Sequence, residues 1–537
     1  MFTRHKNPIH NPLRYAAAER HSGPPVTVAA ARRTLPTYDY VIVGAGTAGC
    51  VLASKLSEDP NITVLLLEAG GDNNKVLETK VPLMFAKLFH TSHDWNYYTA
   101  EQQSIAGRRL YWPRGRILGG SSSLNAMMYH HASASDFEEW VTVHGCEGWG
   151  YSDLVPHFRA VERFTPNPAR PEINTDHHGD AGQWHVGYSW LSPIVEDGFL
   201  PACHDAGISP NSDFNSSGVS LGVSRFQTFI DTKGQRSSLA TAFLDPEVMK
   251  RPNLYVGCGA YVTKVLFDRI NNEKPTAIGI EFQTSRDSVR YHVHAKREVI
   301  LSGGSINTPQ ILTLSGIGSR EELRKHAIGF VLANDHVGKN APDLEIIAAP
   351  FSFSHHGEER PVDQAGVFSF VPICLRPQSK GTVSLKSTDI FDHPIIDPEY
   401  LTDEEDNDKR VLIAGLRLCL KIMRSPSFER YFEPVPTDDD TSSYWWPYSC
   451  SDPNSITDEQ LGRFLVERAF TLYHPVGSAR MGRSPSDSVV DLQCRVHGTN
   501  GLRIVDASIF PEQISGHPTA PIAAIAHKVS EMIAKAR

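Results

Sequence analysis

Gly44-Ala45-Gly46-Thr47-Ala48-Gly49 follows directly on a β-branched apolar run, and Glu68 closes a second apolar run nineteen positions after Gly49. This G-x-G-x-x-G spacing suits a dinucleotide. The first glycine makes the tight turn, Gly46 lets the backbone approach a pyrophosphate, and Gly49 allows close packing of helix on strand. Thr47 opens the helix, whose free N–H groups and positive dipole end face the phosphates. Glu68 is placed to accept hydrogen bonds from the adenosine ribose. These residues do not choose between NAD and FAD, which share the device.

The elements that must position this site are a strand over Tyr38–Val43, a helix from Gly46 to Leu56 and a strand over Val64–Leu67, which together make a βαβ unit. Further along, Glu298–Leu301 reads as a buried strand ending at Gly303-Gly304, and Asn253–Phe267 alternates like a hairpin. Residues 162–233 look like loops and short strands, Phe368–Ile395 like antiparallel strands, and Arg410–Met423 is apolar at helical spacing.

Other chemistries find less support. The eight cysteines form no C-x-x-C pair and no zinc-type set with histidine, and His130-His131 and His177-His178 are adjacent pairs whose side chains diverge, so no metal site is expected. Tyr444-Trp445-Trp446 reads as a packed loop rather than pocket aromatics. At 537 residues, 21% charged and with a net charge of −9, the chain should form more than one domain and has no electrostatic reason to bind nucleic acid. No apolar run is long enough to span a bilayer. The N-terminus carries Arg4, Lys6, Arg14, Arg20, Arg32 and Arg33 against Glu19 without an apolar signal core, and Lys535-Ala536-Arg537 is no peroxisomal address. An intracellular protein, cytoplasmic or mitochondrial, is expected.

The run Gly115-Arg116-Ile117-Leu118-Gly119-Gly120-Ser121-Ser122-Ser123-Leu124-Asn125 resembles the first signature of the glucose–methanol–choline (GMC) oxidoreductases. Gly304-Ser305-Ile306-Asn307-Thr308-Pro309-Gln310 and the residues to Gly318 resemble the second. The resemblance runs from about Tyr38 to the C-terminus. It implies an α/β (α+β) fold in which a Rossmann-type FAD-binding domain holds an inserted antiparallel-sheet substrate domain. By that likeness residues 37–160, 236–340 and 466–537 bind FAD, residues 161–235 and 341–465 bind substrate, and residues 1–36 form a disordered extension.

The family's motifs carry roles onto particular residues here. Gly119, Ser122 and Asn125 should lie along the flavin and its phosphates, Val262 should reach the adenine end, and Asp506 with Ala507 should meet the ribityl-pyrophosphate region. Thr519 should approach the pyrimidine edge. Leu124 stands where some members carry the histidine that bonds the flavin, so the FAD is expected to be non-covalent. Arg236-Ser237-Ser238 resembles a short family motif and is read as structural.

His474, in His474-Pro475-Val476-Gly477-Ser478, and His517, in Gly516-His517-Pro518-Thr519, resemble the family's active-site motifs. The implied chemistry is oxidation of a small primary alcohol, aromatic alcohols ahead of sugars and choline, to an aldehyde, with His474 as base, His517 as hydrogen-bonding partner and hydride passing to the flavin. Oxygen or another molecule then accepts the electrons. Two alternatives stay open: a lyase or light-driven decarboxylase on the same fold, against which the retained histidine pair argues, and a non-catalytic remnant. The remnant reading arises because Asn340 runs straight into Ala341-Pro342-Asp343-Leu344, which resembles a much later family segment, so the substrate domain is shortened there.

Overall fold

The computed structural model describes residues 9–18, 35–169, 173–188, 192–216, 220–268, 274–326, 343–351, 353, 356, 368–431 and 455–536. The segment around Asn340 and the aromatic run Tyr444-Trp445-Trp446 lie outside them. The elements used below are the strands β1 (Thr37–Val43), β2 (Val64–Glu68), β3 (Leu254–Cys258), β4 (Tyr261–Asp268), β5 (Thr276–Gln283), β6 (Tyr291–Leu301), β7 (Leu344–Ala349), β8 (Ser369–Cys374) and β9 (Leu502–Ile504). The helices are α1 (Thr47–Leu56), α2 (Tyr151–Val161), α3 (Gly304–Leu314), α4 (Asn407–Met423) and α5 (Thr519–Lys535).

A nine-stranded sheet organises the chain. Its path runs Ile9–His10, β3, β2, β1, β6, β5, β4, with β9 and Ala17–Ala18 also paired to β6. Strands β3, β2, β1, β6 and β9 are mutually parallel, and Val41, Ile42 and Val43 sit opposite Leu65, Leu66 and Leu67. Strands β1 and β2 are buried almost throughout, which is why they read as apolar runs. The sheet draws its strands from residues far apart in sequence, and the C-terminal helix α5 packs on both α1 and α2.

Two sequence expectations are corrected here. Asn253–Phe267 is not a hairpin: β3 pairs in parallel with β2, while β4 pairs antiparallel with β5 at the far edge. Alternation marks both strands but does not say which neighbour each one meets, and Gly259, at φ 78°, turns the chain away between them. Residues 1–36 are also not wholly an unstructured extension. Ile9–His10 adds to β3, Ala17–Ala18 pairs with β6, and Tyr15 is buried with its ring edge-on to Tyr255. One buried aromatic anchors a stretch too short to show any periodicity.

A second sheet, of Met128–Tyr129, Gln227–Thr228, Trp184–Gly187 and Glu162–Thr165, is antiparallel except for its last pair, which is parallel. Strands β7 and β8 form an antiparallel pair against which α4 packs. The helix expected over Arg410–Met423 and the strands expected after Phe368 are therefore present.

Candidate active site

The turn between β1 and α1 is shaped by contacts that only glycine permits. Gly44 takes φ 95° with its Cα against Ser302, where a Cβ would lie 2.4 Å from the Ser302 carbonyl oxygen. At Gly49 a Cβ would come within 1.9 Å of the Gly44 carbonyl oxygen, so helix and strand pack backbone to backbone. Gly46 differs. It caps α1 without a side-chain hydrogen bond, and a Cβ there would meet nothing within 4 Å. The N–H groups of the first helical turn begin at Thr47, and no side chain crowds the Gly46 position before them, as suits an anion-binding helix end.

Other segments converge on this turn. The Gly119 N–H donates to the Ala45 carbonyl at 2.8 Å, and Gly120 lies against Gly46. Asp506, at the end of β9, accepts from the Gly304 N–H at 2.8 Å and the Thr308 hydroxyl at 2.7 Å, which ties it to the start of α3. Burial raises its pKa. Ala507 accepts from the Gly477 N–H and so joins the Asp506 turn to the His474 loop. Among the described residues the buried hydroxyls of Ser302 and Ser305 have no hydrogen-bond partner. Unsatisfied buried donors beside two glycine-lined helix starts fit a bound dinucleotide.

Some predicted residues are satisfied within the protein. Ser122 donates to the Gly119 carbonyl and accepts from the Leu239 N–H, so its hydroxyl holds the loop together. Val262 is buried on β4, opposite Phe282. Glu68 accepts from the Ala45 N–H at 2.9 Å and the Gly70 N–H at 2.8 Å, and burial pushes its pKa up to about 7. Each carboxylate oxygen retains a second lone pair for a ribose hydroxyl.

The second cluster is built at the start of α5. The Asn125 side-chain N–H donates to the Thr519 hydroxyl at 3.3 Å, and Arg236 donates to the Asn125 carbonyl at 2.6 Å and to its side-chain oxygen at 3.1 Å. Two residues before Thr519, the His517 ring meets the His474 ring edge to face, with centroids 5.0 Å apart and planes at 88°. His517 Nε2 lies 3.2 Å from a carboxylate oxygen of Glu345 on β7. Burial would raise the Glu345 pKa, but His517 outweighs it and holds the group below the ordinary carboxylate value. An ionised Glu345 can only accept, so it puts the proton on His517 Nε2.

Burial, then the charge of His517 and of Arg114, push the His474 pKa well below the ordinary histidine value. His474 is therefore a neutral imidazole at neutral pH, the form able to take a proton. It lines a cavity of about 1660 Å³ whose wall includes Tyr98, Trp112, Phe370, Tyr400 and Phe470.

Sequence reasoning missed Glu345 and His130. The ring of His130 is 6.5 Å from that of His517, while His131 turns the other way to stack on Phe158, as adjacent residues must diverge. No pattern around Glu345 marks it, because its partner lies 172 positions away.

Sequence models described as GMC oxidoreductase match residues 38–343 and 377–526. The chain belongs to this family. The GMC chain is 36% identical over 616 positions to a dehydrogenase of Strobilurus tenacellus, covering 98% of each. That alignment is longer than the 537-residue chain, so the relative carries residues this one lacks. It is also 36% identical to an alcohol dehydrogenase [acceptor] of Pseudomonas putida, over 93% of this chain and 96% of the relative. Among solved structures, an FAD-dependent oxidoreductase from Chaetomium thermophilum superposes with a TM-score of 0.79 at 25% identity, covering 93% and 99% of the two chains. No described helix is long and apolar enough to cross a membrane.

Proposed function

We propose that this GMC oxidoreductase binds FAD without a covalent bond and oxidises a small primary alcohol to an aldehyde. The observation that carries the reading is the His474–His517 pair at 5.0 Å, in which His474 lines the large cavity and His517 stands two residues before the start of α5. The FAD-binding portion comprises residues 37–160, 236–340 and 466–537, and the substrate portion comprises residues 161–235 and 341–465. Residues Gly44, Gly46, Thr47, Gly49 and Glu68 would hold the adenosine and pyrophosphate end. Gly119, Asn125, Asp506, Ala507 and Thr519 would hold the rest.

When bound, FAD supplies the hydride acceptor. The residues of the chain do the proton chemistry. A neutral His474 takes the hydroxyl proton, and His517, whose Nε2 faces Glu345, holds its ring edge to face against the His474 ring. The aromatic part of the cavity wall favours an apolar or aromatic alcohol over a sugar.

Leu124 supports non-covalent binding. Its side chain is buried in an apolar cluster with Leu88, Phe89 and Tyr111, so it presents no nucleophile. Acid precipitation of the purified protein is expected to release all the yellow colour to the supernatant, whereas colour that stays in the pellet would contradict this. Glu68→Ala should weaken FAD retention about ten- to a hundredfold, the roughly 1.5–3 kcal/mol of a charge-assisted hydrogen bond, without altering alcohol chemistry. Dialysis against buffer followed by absorbance of the retained flavin measures it. Because Glu68 also satisfies two buried N–H groups, the flavin-free variant should melt lower than flavin-free parent.

A further inference from the structure

Away from the cavity, α2 and the C-terminal half of α5 bring three ligand-type side chains together. His527 and Glu531 stand four residues apart on α5 and so share one face. His157, from α2 and 370 positions away, packs onto that face. The two Nδ1 atoms are 3.0 Å apart, and Glu531 Oε1 is 3.9 Å from His527 Nδ1. All three ligand atoms lie within 4.8 Å of one another.

We propose that His157, His527 and Glu531 form a site for one borderline divalent transition-metal ion of the Zn²⁺ class. A tetrahedral ion with bonds of about 2.0–2.1 Å sets neighbouring donor atoms about 3.3 Å apart, between the two separations found here. A hydrogen bond between the imidazoles would use one Nδ1–H and one lone pair and would leave the carboxylate beyond reach at 3.9 Å. A metal uses all three donors. Two imidazoles and a carboxylate suit Zn²⁺ over the oxygen-seeking Ca²⁺ and Mg²⁺.

The surroundings allow the ion to enter and stay. His527 is buried, whereas His157 and Glu531 are partly exposed, which leaves a fourth position for water. Lys535 bonds the other Glu531 oxygen at 3.1 Å, so Oε1 is the one turned to the imidazoles. Lys528, Lys535 and Lys55 oppose a cation there, and Glu58 offsets part of their charge. An ion here would fasten α5, whose first residue is Thr519, to α2.

The test uses the full-length, FAD-loaded protein, stripped with a chelator and then dialysed against ZnCl₂ or CoCl₂. One Zn²⁺ per chain, a melting temperature that rises with free Zn²⁺, and a tetrahedral Co²⁺ absorption beyond the flavin bands are expected. His157→Gln and Glu531→Gln, both at partly exposed positions, should keep FAD and the parental circular dichroism. Each should weaken Zn²⁺ by at least the roughly 10–100-fold that even loss of an outer-sphere partner costs. Substoichiometric Zn²⁺ in the parent, or undiminished binding in both variants, would overturn the assignment.

Discussion

Replacing His474 with alanine is expected to slow reduction of the bound flavin by an alcohol roughly 10²–10⁴-fold while leaving alcohol binding nearly unchanged. A base acts where the O–H bond is breaking, so its loss raises the barrier more than it weakens the ground-state complex. In the parent, the rate should fall at acid pH as His474 becomes protonated. Because burial and the neighbouring His517 and Arg114 charges lower the His474 pKa, that limb should lie below the ordinary histidine value. It should vanish in the variant. Anaerobic stopped-flow reduction across pH, on variant shown to hold FAD, measures both effects. Parental rates with the same acid limb would remove His474 from the mechanism and point to His517.

A comparably large effect is expected on stability at His178. Its ring bridges two buried carboxylates, with Glu162 at 2.8 Å from Nδ1 and Asp213 at 2.7 Å from Nε2. Burial alone would lower its pKa, but the bonds to Asp213 and Glu162 outweigh that and raise it to about 9. His178→Ala leaves two buried carboxylates facing each other and should cost about 3–5 kcal/mol. Urea unfolding at neutral pH measures the loss. The folded pKa lies above that of the unfolded chain, so the parent has the full contribution below about pH 6.5 and loses it as pH rises through about 9. The variant should lack this alkaline decline. Asp213 also receives the Asn215 N–H, and Asn215 in turn binds the His131 N–H, so the same network steadies the backbone of His130 beside His517.

The dinucleotide turn was legible because its function rests on local backbone demands. Gly49 must be glycine for a steric reason that acts within a few residues and Gly44 for its left-handed φ of 95°, and a βαβ unit follows from two buried strands flanking a small-residue helix. Leu124 drew notice only through the resemblance, as a residue that cannot bond flavin where some members carry a histidine. Pairings between distant segments were not. The alternation in β3 and β4 fixed their strand character but not that they join opposite sides of the sheet. Glu345 meets His517, and His157 meets His527, only after helices and strands have docked, so neither acid nor imidazole carries a local mark. The histidines at 474 and 517 stood out through motif likeness rather than spacing. Their 5.0 Å approach is set by Gly477 and Ala507 on one side and the start of α5 on the other.

Anaerobic mixing of the purified, FAD-loaded protein with a panel of aliphatic and aromatic primary alcohols, followed by flavin absorbance, tests the proposed activity most directly. The account predicts that the oxidised flavin bands bleach with at least one alcohol, fastest with an apolar or aromatic one, and that His474→Ala bleaches far more slowly with the same alcohol. Fully loaded flavin that stays oxidised with every alcohol in the panel would contradict it.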